Sequence, residues 1–299
     1  MNMPSVIRFL CFFALLSPLK AQQLDHFDLI LLSASIGPDS IWKPGAPRFL
    51  SQFNPQGYNN QPSFVSASEL YLTVQTPEDT TQTDIWALNL GTQTRLRITA
   101  TEKTAEYSPL LMPGGKRFSA VRVEEDGAQH LWSFPLDRSD NGRVEFSKIS
   151  DVGYHCWVND TLAALFIVGK SPQPHQLFTA GIKSQQLSRV ASNVGRSLVA
   201  LPNNRFAFVA KSTEQTWFLK IWDVRKQSAQ IVVKMPVGTE DFSVLPDGTY
   251  IAGNNAKLFQ YKPGRNADWV EIADLSKYGV KQITRIATNK AGKIVVVVQ

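Results

Sequence analysis

The residues best placed to do chemistry in this chain are Asn60, Glu106, His155, Arg196, the pair Glu240-Asp241, and Arg285. Each leads into a short, mostly apolar run that recurs along the sequence. Glu106 and Glu240-Asp241 offer carboxylate oxygens of the kind that hold a hard cation such as calcium. Arg196 and Arg285 work against that by repelling a cation. Nucleophilic, phosphate and zinc chemistry have no foothold. There is no Gly-x-Ser-x-Gly elbow, no Gly-rich phosphate loop and no His-Glu-x-x-His helix. His26, His130, His155 and His175 are not spaced as local metal ligands, although His130 and His175 both precede an apolar strand. No catalytic residue and no metal-ligand set is therefore assigned. Calcium is retained only as the occupant that the alternative reading below would need.

These residues are far apart in sequence, so the elements that carry them must bring them together. Tight-turn signals recur at Ser66-Ala67-Ser68, Pro113-Gly114-Gly115, Asn159-Asp160, Pro202-Asn203-Asn204, Pro246-Asp247-Gly248 and Lys290-Ala291-Gly292; counted from positions 66, 113, 158, 202, 246 and 290, the steps are 47, 45, 44, 44 and 44 residues. An apolar strand precedes each turn and a second follows it, which is hairpin chemistry. A third strand carries an aromatic in most copies, as in Ile85-Trp86-Ala87-Leu88 and Ile221-Trp222-Asp223-Val224, and a weaker fourth follows. Four strands in a unit of roughly 44 residues make the blade of a β-propeller. The pattern predicts an all-β, six-bladed propeller with blades at 60–100, 105–150, 152–191, 195–235 and 239–273. The sixth blade joins 280–299 to 26–52, so that N- and C-terminal strands pair and close the ring, removing an exposed sheet edge. Phe27 to Ser33 is the expected closing strand, with Arg48 to Gln52 as its neighbour. Residues 34–61, rich in Pro, Gly, Asn and Gln, read as a long irregular connector or a cap over one face. The polar residues named above then stand where the innermost strands begin, at the mouth of the central channel.

Two stretches carry a family likeness. Tyr107 to Phe118, through Pro113-Gly114-Gly115-Lys116, and Phe242 to Ile251, through Pro246-Asp247-Gly248, resemble the repeat of TolB-like propellers. That repeat opens near a Pro, runs to a Ser-Pro-Asp-Gly-Lys-type turn, and continues as an apolar strand. Ile85 to Leu90 and Leu131 to Asp137 look like its third strand. Met112 and Leu245 replace the usual Ser, and Asn159-Asp160 and Asn203-Asn204 are degenerate turns. Trp222-Asp223 is similar to the dipeptide of WD-repeat propellers, in one blade. The resemblance implies a propeller fold and an exported bacterial setting. It does not imply TolB's partners, because a propeller alone does not set function.

Composition bounds the rest. Hydrophobic residues make up 43% of the chain and charged residues 19%, enough for a core and too apolar for a disordered chain. Cys11 and Cys156 are too few for a disulfide scaffold. No apolar stretch reaches the roughly 18 residues of a membrane-spanning helix. Residues 1–21 have the layout of a secretory signal peptide: Arg8, an apolar run from Phe9 to Leu16, and Ala21 before the expected cut. Cleavage there leaves 22–299 as a single domain of net charge +4, with 29 basic against 25 acidic residues. Cys156, in a strand pattern, reads as a buried inert thiol. The basic excess is spread along strand faces, which excludes a nucleic-acid stripe. The expectation is a periplasmic or secreted monomer. It acts as a non-catalytic platform that binds a protein or envelope component at the channel mouth. The alternative is a calcium-dependent small-molecule hydrolase or lactonase with its site in the channel.

Overall fold

Leu29 to Leu32 and Val295 to Val298 are apolar at every position, with no alternation. A strand reads that way when both of its faces are buried. The computed structural model describes residues 24–37, 39 and 41–299, and the expected leader at 1–21 lies outside the described residues. In it, Asp28–Ile36 pairs antiparallel with Lys293–Val298, Leu29 opposite Val297 and Leu31 opposite Val295. Leu29, Leu31, Val295 and Val297 pack against Leu70 and Leu72 on one side. Ile30, Leu32, Ile294 and Val296 pack against Ile251 and Leu258 on the other. The closing blade is thus a wedge with a core on each face.

The other five blades are four-stranded antiparallel sheets in sequence order. Blade 1 holds Tyr58–Phe64, Glu69–Thr76, Asp79–Asn89 and Arg95–Arg97, and blade 2 holds Ala105–Leu111, Arg117–Val123, Gln129–Pro135 and Arg143–Val144. Blade 3 is Val152–Asn159, Leu162–Ile167, Gln176–Gly181 and Leu187–Ser192. Blade 4 is Val194–Leu201, Arg205–Lys211, Trp217–Asp223 and Ser228–Lys234. Blade 5 is Phe242–Val244, Tyr250–Asn254, Lys257–Tyr261 and Val270–Asp274. Blade 6 starts from Ile283–Thr288 and Lys293–Val298 and is completed by Asp28–Ile36. The first strand of each blade lines the axis and touches the first strand of the next, blade 6 meeting blade 1, except that Val152–Asn159 of blade 3 meets Arg117–Val123 and Gln129–Pro135 of blade 2. The chain is a six-bladed propeller closed by its terminal strands, as the turn spacing predicts.

Residues 34–61 depart from the expected irregular segment. Trp42–Pro44 and Arg48–Phe49 are short strands that share the outer edge of Asp28–Ile36, with Ile36 opposite Trp42 and Ile30 opposite Phe49. The buried Trp42 ring lies over Gly292, where an added Cβ would come within 3.0 Å of it. Its backbone N–H donates to Gln260 Oε1 of blade 5 at 2.7 Å. This segment finishes blade 6 and staples it to blade 5. The degenerate-looking Pro202-Asn203-Asn204 makes a tight hairpin because both asparagines adopt left-handed φ, +65° and +55°, which Asn tolerates better than most residues.

Closure by a two-faced wedge has a measurable consequence. Leu32→Ala, at a position 1% exposed, should lower unfolding free energy by about 2–5 kcal/mol in urea titration. Ile231→Ala, on the exposed outer edge of blade 4, should change it by less than about 0.5 kcal/mol.

Candidate functional site

The inner strands do not run straight along the axis. Pairing to the second strand slips between Asn60 and Ser63 in blade 1, Tyr107 and Leu110 in blade 2, Val194 and Leu198 in blade 4, and Ile283 and Arg285 in blade 6. Bulges of this kind re-aim side chains. In blades 1 and 2 the bulge puts Gln61 and Ser108 in left-handed φ, +52° and +54°, each directly before a proline. The result is a channel cavity of about 550 Å³ walled by all six inner strands, within the size range of small-ligand sites.

One end of this cavity carries a charged network. Arg196 donates to Asp241 Oδ2 from Nε at 2.9 Å and from Nη2 at 2.5 Å. Nη2 also donates to the Thr284 carbonyl at 2.8 Å. Arg285 donates from Nη1 to Asp241 Oδ1 at 3.1 Å and from Nη2 to the Tyr154 hydroxyl at 2.7 Å. Its guanidinium carbon also lies 4.9 Å from the Tyr154 ring centre. Behind Arg196, Glu240 is paired with Lys211 at 2.7 Å and with Arg196 at 3.5 Å. Burial works to lower the Arg285 pKa, but the adjacent Asp241 carboxylate and Tyr154 outweigh it and hold it above the ordinary arginine value. Arg285 therefore stays charged. Buried Tyr58 sits in the same field, and burial raises its phenol well above the usual range.

A neutral network lies along the wall. His155 Nε2 is 2.6 Å from Ser119 Oγ, which also accepts from Trp157 Nε1 at 2.8 Å and lies 3.2 Å from the Leu110 carbonyl. The serine has one proton, which it can give either to the Leu110 carbonyl or to Nε2, and the histidine tautomer follows from that choice. Nδ1 is buried and without a partner. Burial pushes the His155 pKa down to about 3. Cys156, beside it, is buried with its thiol pushed up to about 12 by burial; it is the inert thiol the sequence suggested.

The structure separates the seven sequence candidates. Arg196, Asp241, Arg285 and His155 line the cavity, and both arginines contact Asp241. Asn60, Glu106 and Glu240 do not line it. Asn60 is buried and its Oδ1 accepts the Gln61 N–H at 2.8 Å. Glu106 is fully buried, its Oε1 accepting from Thr101 at 2.6 Å and Thr104 at 3.1 Å. Burial raises its pKa, with the Thr hydroxyls opposing. The carboxylates of Glu106 and Glu240-Asp241, offered by the sequence as cation ligands, do not meet in the channel, because Glu106 is turned into the wall and Glu240 onto Lys211. Among the described residues no three His, Cys, Asp or Glu side chains converge on one point. His130 Nδ1 lies 2.9 Å from the Ile149 carbonyl, and His175 Nδ1 accepts the Gly169 N–H at 3.1 Å; the two do not recur as a pair. Sequence reasoning missed Tyr154, Gln61 and Ser108. The Pro that follows Gln61 and Ser108 was a local signal of a bulge; Tyr154 had none.

The architecture and the network together call for comparison with solved propellers. A structure assigned to TolB from Agrobacterium tumefaciens superposes with a TM-score of 0.67 over 91% of this chain and 97% of that one, at 11% identity. The chain has the six-bladed fold of the TolB propeller. TolB from Acinetobacter baumannii matches with a TM-score of 0.57 and 10% identity, over 91% of this chain and 63% of its own length. A chain of a nidogen–laminin complex matches with a TM-score of 0.62 and 8% identity, covering 88% of this chain and 98% of that one. No protein-family model and no curated protein matches the sequence. At these identities the TolB likeness is one of fold.

Two tests follow from the networks. Asp241→Asn leaves Arg196 and Arg285 without their shared counter-charge in a mostly buried setting. It should cost about 3 kcal/mol of stability in denaturant titration. His155 has a folded pKa below its unfolded value of about 6.5, so it contributes full stability above that pH and loses it as pH falls toward 3. The unfolding free energy should therefore drop as pH falls from about 6.5 to 4, with a slope approaching about 1.4 kcal/mol per pH unit in denaturant titration. His155→Gln, which keeps a hydrogen-bond partner for Ser119, should flatten that limb.

Proposed function

We propose that this protein is an exported, non-catalytic binding platform that holds part of a protein or envelope partner in its central channel. The observation that carries the reading is the cavity itself: about 550 Å³, walled by six inner strands and mostly apolar, with its charge gathered at one end. Such a site buries ligand surface and fixes orientation with a few polar groups. It lacks the paired nucleophile and base that covalent catalysis needs. Ser119 and His155 are in contact, but Ser119 is fully buried and does not line the cavity. The TolB likeness in fold and the leader-like residues 1–21 support the exported setting.

The calcium-dependent hydrolase reading has less support. Among the described residues Asp241 is the one acidic side chain lining the cavity, and both of its oxygens are taken by guanidinium groups. That donor set does not fit a hard cation.

The test uses tagged full-length protein cross-linked in cells of its source and then purified. Ala287→Trp fills the channel, and Ile231→Trp alters the outer edge of blade 4. The partner should remain with Ile231→Trp and be lost with Ala287→Trp, at matched melting temperatures. Retention by Ala287→Trp would count against a channel site. N-terminal sequencing of the fractionated protein should give Gln22 as the first residue if the exported setting is right.

A further inference from the structure

Arg285 and Tyr154 belong to blades 6 and 3, which stand opposite each other in a six-bladed ring. Their hydrogen bond, 131 residues apart in sequence, therefore crosses the channel. Arg196 and Asp241, from blades 4 and 5, brace the crossing from the side. The side chains of Asp241 and Arg285 are only 12% and 13% exposed, which is the burial of a floor and not of an open mouth. All six inner strands run from this end toward the hairpin turns. Along that direction the wall becomes apolar, through Phe64, Met112, Val199, Val244 and Ala287.

Resting on the reading of the channel as a binding site, we propose that the channel is a blind cup, entered from the hairpin-turn end, that receives the end of an apolar chain bearing a carboxylate. A chain cannot thread through a crossed floor, so it must terminate there. The charge of the floor selects the kind of terminus. Lys211, Arg196 and Arg285 against Glu240 and Asp241 leave one uncompensated positive charge. An anion neutralises it, and an ammonium group is repelled.

Two donors remain to receive the carboxylate oxygens. The Tyr154 oxygen already accepts from Arg285, so its own proton is available, and that donation polarises the phenol toward an anionic acceptor. Gln61 Oε1 is fixed by accepting from the Ser108 N–H at 3.0 Å and the Thr73 hydroxyl at 2.8 Å. Its amide NH₂ is thereby turned away from both, with no protein acceptor among the described residues, on a residue that lines the cavity. The shared chemistry is a carboxylate at the end of an apolar chain, and it can come from a peptide C-terminus or from a free aliphatic acid.

Calorimetric titration of the full chain with acetyl-Leu-Leu, with its C-terminal amide and with hexanoate separates these sources. The free acid of the peptide should bind at least tenfold more tightly than the amide. Tyr154→Phe, which keeps the ring and its packing, should weaken the acid at least threefold and leave the amide unchanged. Arg285→Gln should abolish the preference, and its melting curve guards against a folding defect. Hexanoate binding with the same sensitivity to Tyr154→Phe assigns the cup to free acids as well; binding of the peptide acid alone assigns it to chain ends. Equal binding of acid and amide, no effect of Tyr154→Phe, or no binding of any probe overturns the proposal. If acid and amide bind alike while Ala287→Trp still loses the partner, the cup fails and the channel platform stands. If Ala287→Trp keeps the partner, the platform fails on its own evidence.

Discussion

The antiparallel pairing of Asp28–Ile36 with Lys293–Val298 is the constraint on which the rest of the structure rests. A ring of blades has no stable partial form of equal quality, because each blade buries its faces against two neighbours. Without the N-terminal strand, Val295 to Val298 would lose a backbone partner and expose an unpaired edge. The two cores that meet on blade 6 would open together, since Leu29 and Leu31 belong to one and Ile30 and Leu32 to the other. In a chain whose described residues include one free cysteine, this closure does the work a disulfide often does.

The candidate site inherits that constraint. Arg285 lies on the inner strand of the closing blade, where Ile286 and Ala287 pair with Val296 and Val295. Those valines in turn pair with Ile30 and Leu31 of the N-terminal strand. The guanidinium is therefore positioned by a chain of backbone ladders that begins near the N-terminus. Hydroxyls stitch neighbouring inner strands in the same region: Ser197 Oγ donates to the Phe242 carbonyl at 3.0 Å, and Thr288 Oγ1 to the Val244 carbonyl at 2.8 Å. A network that crosses four blades keeps its distances only if the ring is rigid, and these bonds supply rigidity at the radius where it matters.

What could be read from the sequence follows from how local each signal is. The blade period was legible because a hairpin turn is decided by a few adjacent residues, as in Pro246-Asp247-Gly248. The closing strands were legible because burial on both faces leaves an unbroken apolar run. The site was legible only in part. Glu240 and Asp241 are adjacent, so in an extended segment they point opposite ways; one meets Lys211 and the other the cavity, and nothing in the sequence says which. Bulges at Gln61 and Ser108 shift the channel-facing position by one residue from Asn60 and by two from Glu106. Trp42 was hidden because its strand has only three residues and is surrounded by turn formers. Tyr154 gains its role from a residue three blades away, a relation no local pattern encodes.

The balance of charge and apolar surface along the channel axis explains how such a channel can be selective. A uniformly apolar channel would bind any greasy segment, and a uniformly charged one would bind water and salt. Here the apolar wall favours burial, but burial is not discriminating, since it scales with area. The floor adds discrimination at one point by a charge that is buried enough to escape full screening. Asp241 is needed for this to work, because two unopposed arginines at that depth would carry a large desolvation cost. By neutralising most of their charge and leaving a remainder, Asp241 makes the floor stable while empty and still favourable to an anion. The same carboxylate that the sequence offers as a cation ligand is what allows the arginines to lie in the channel at all.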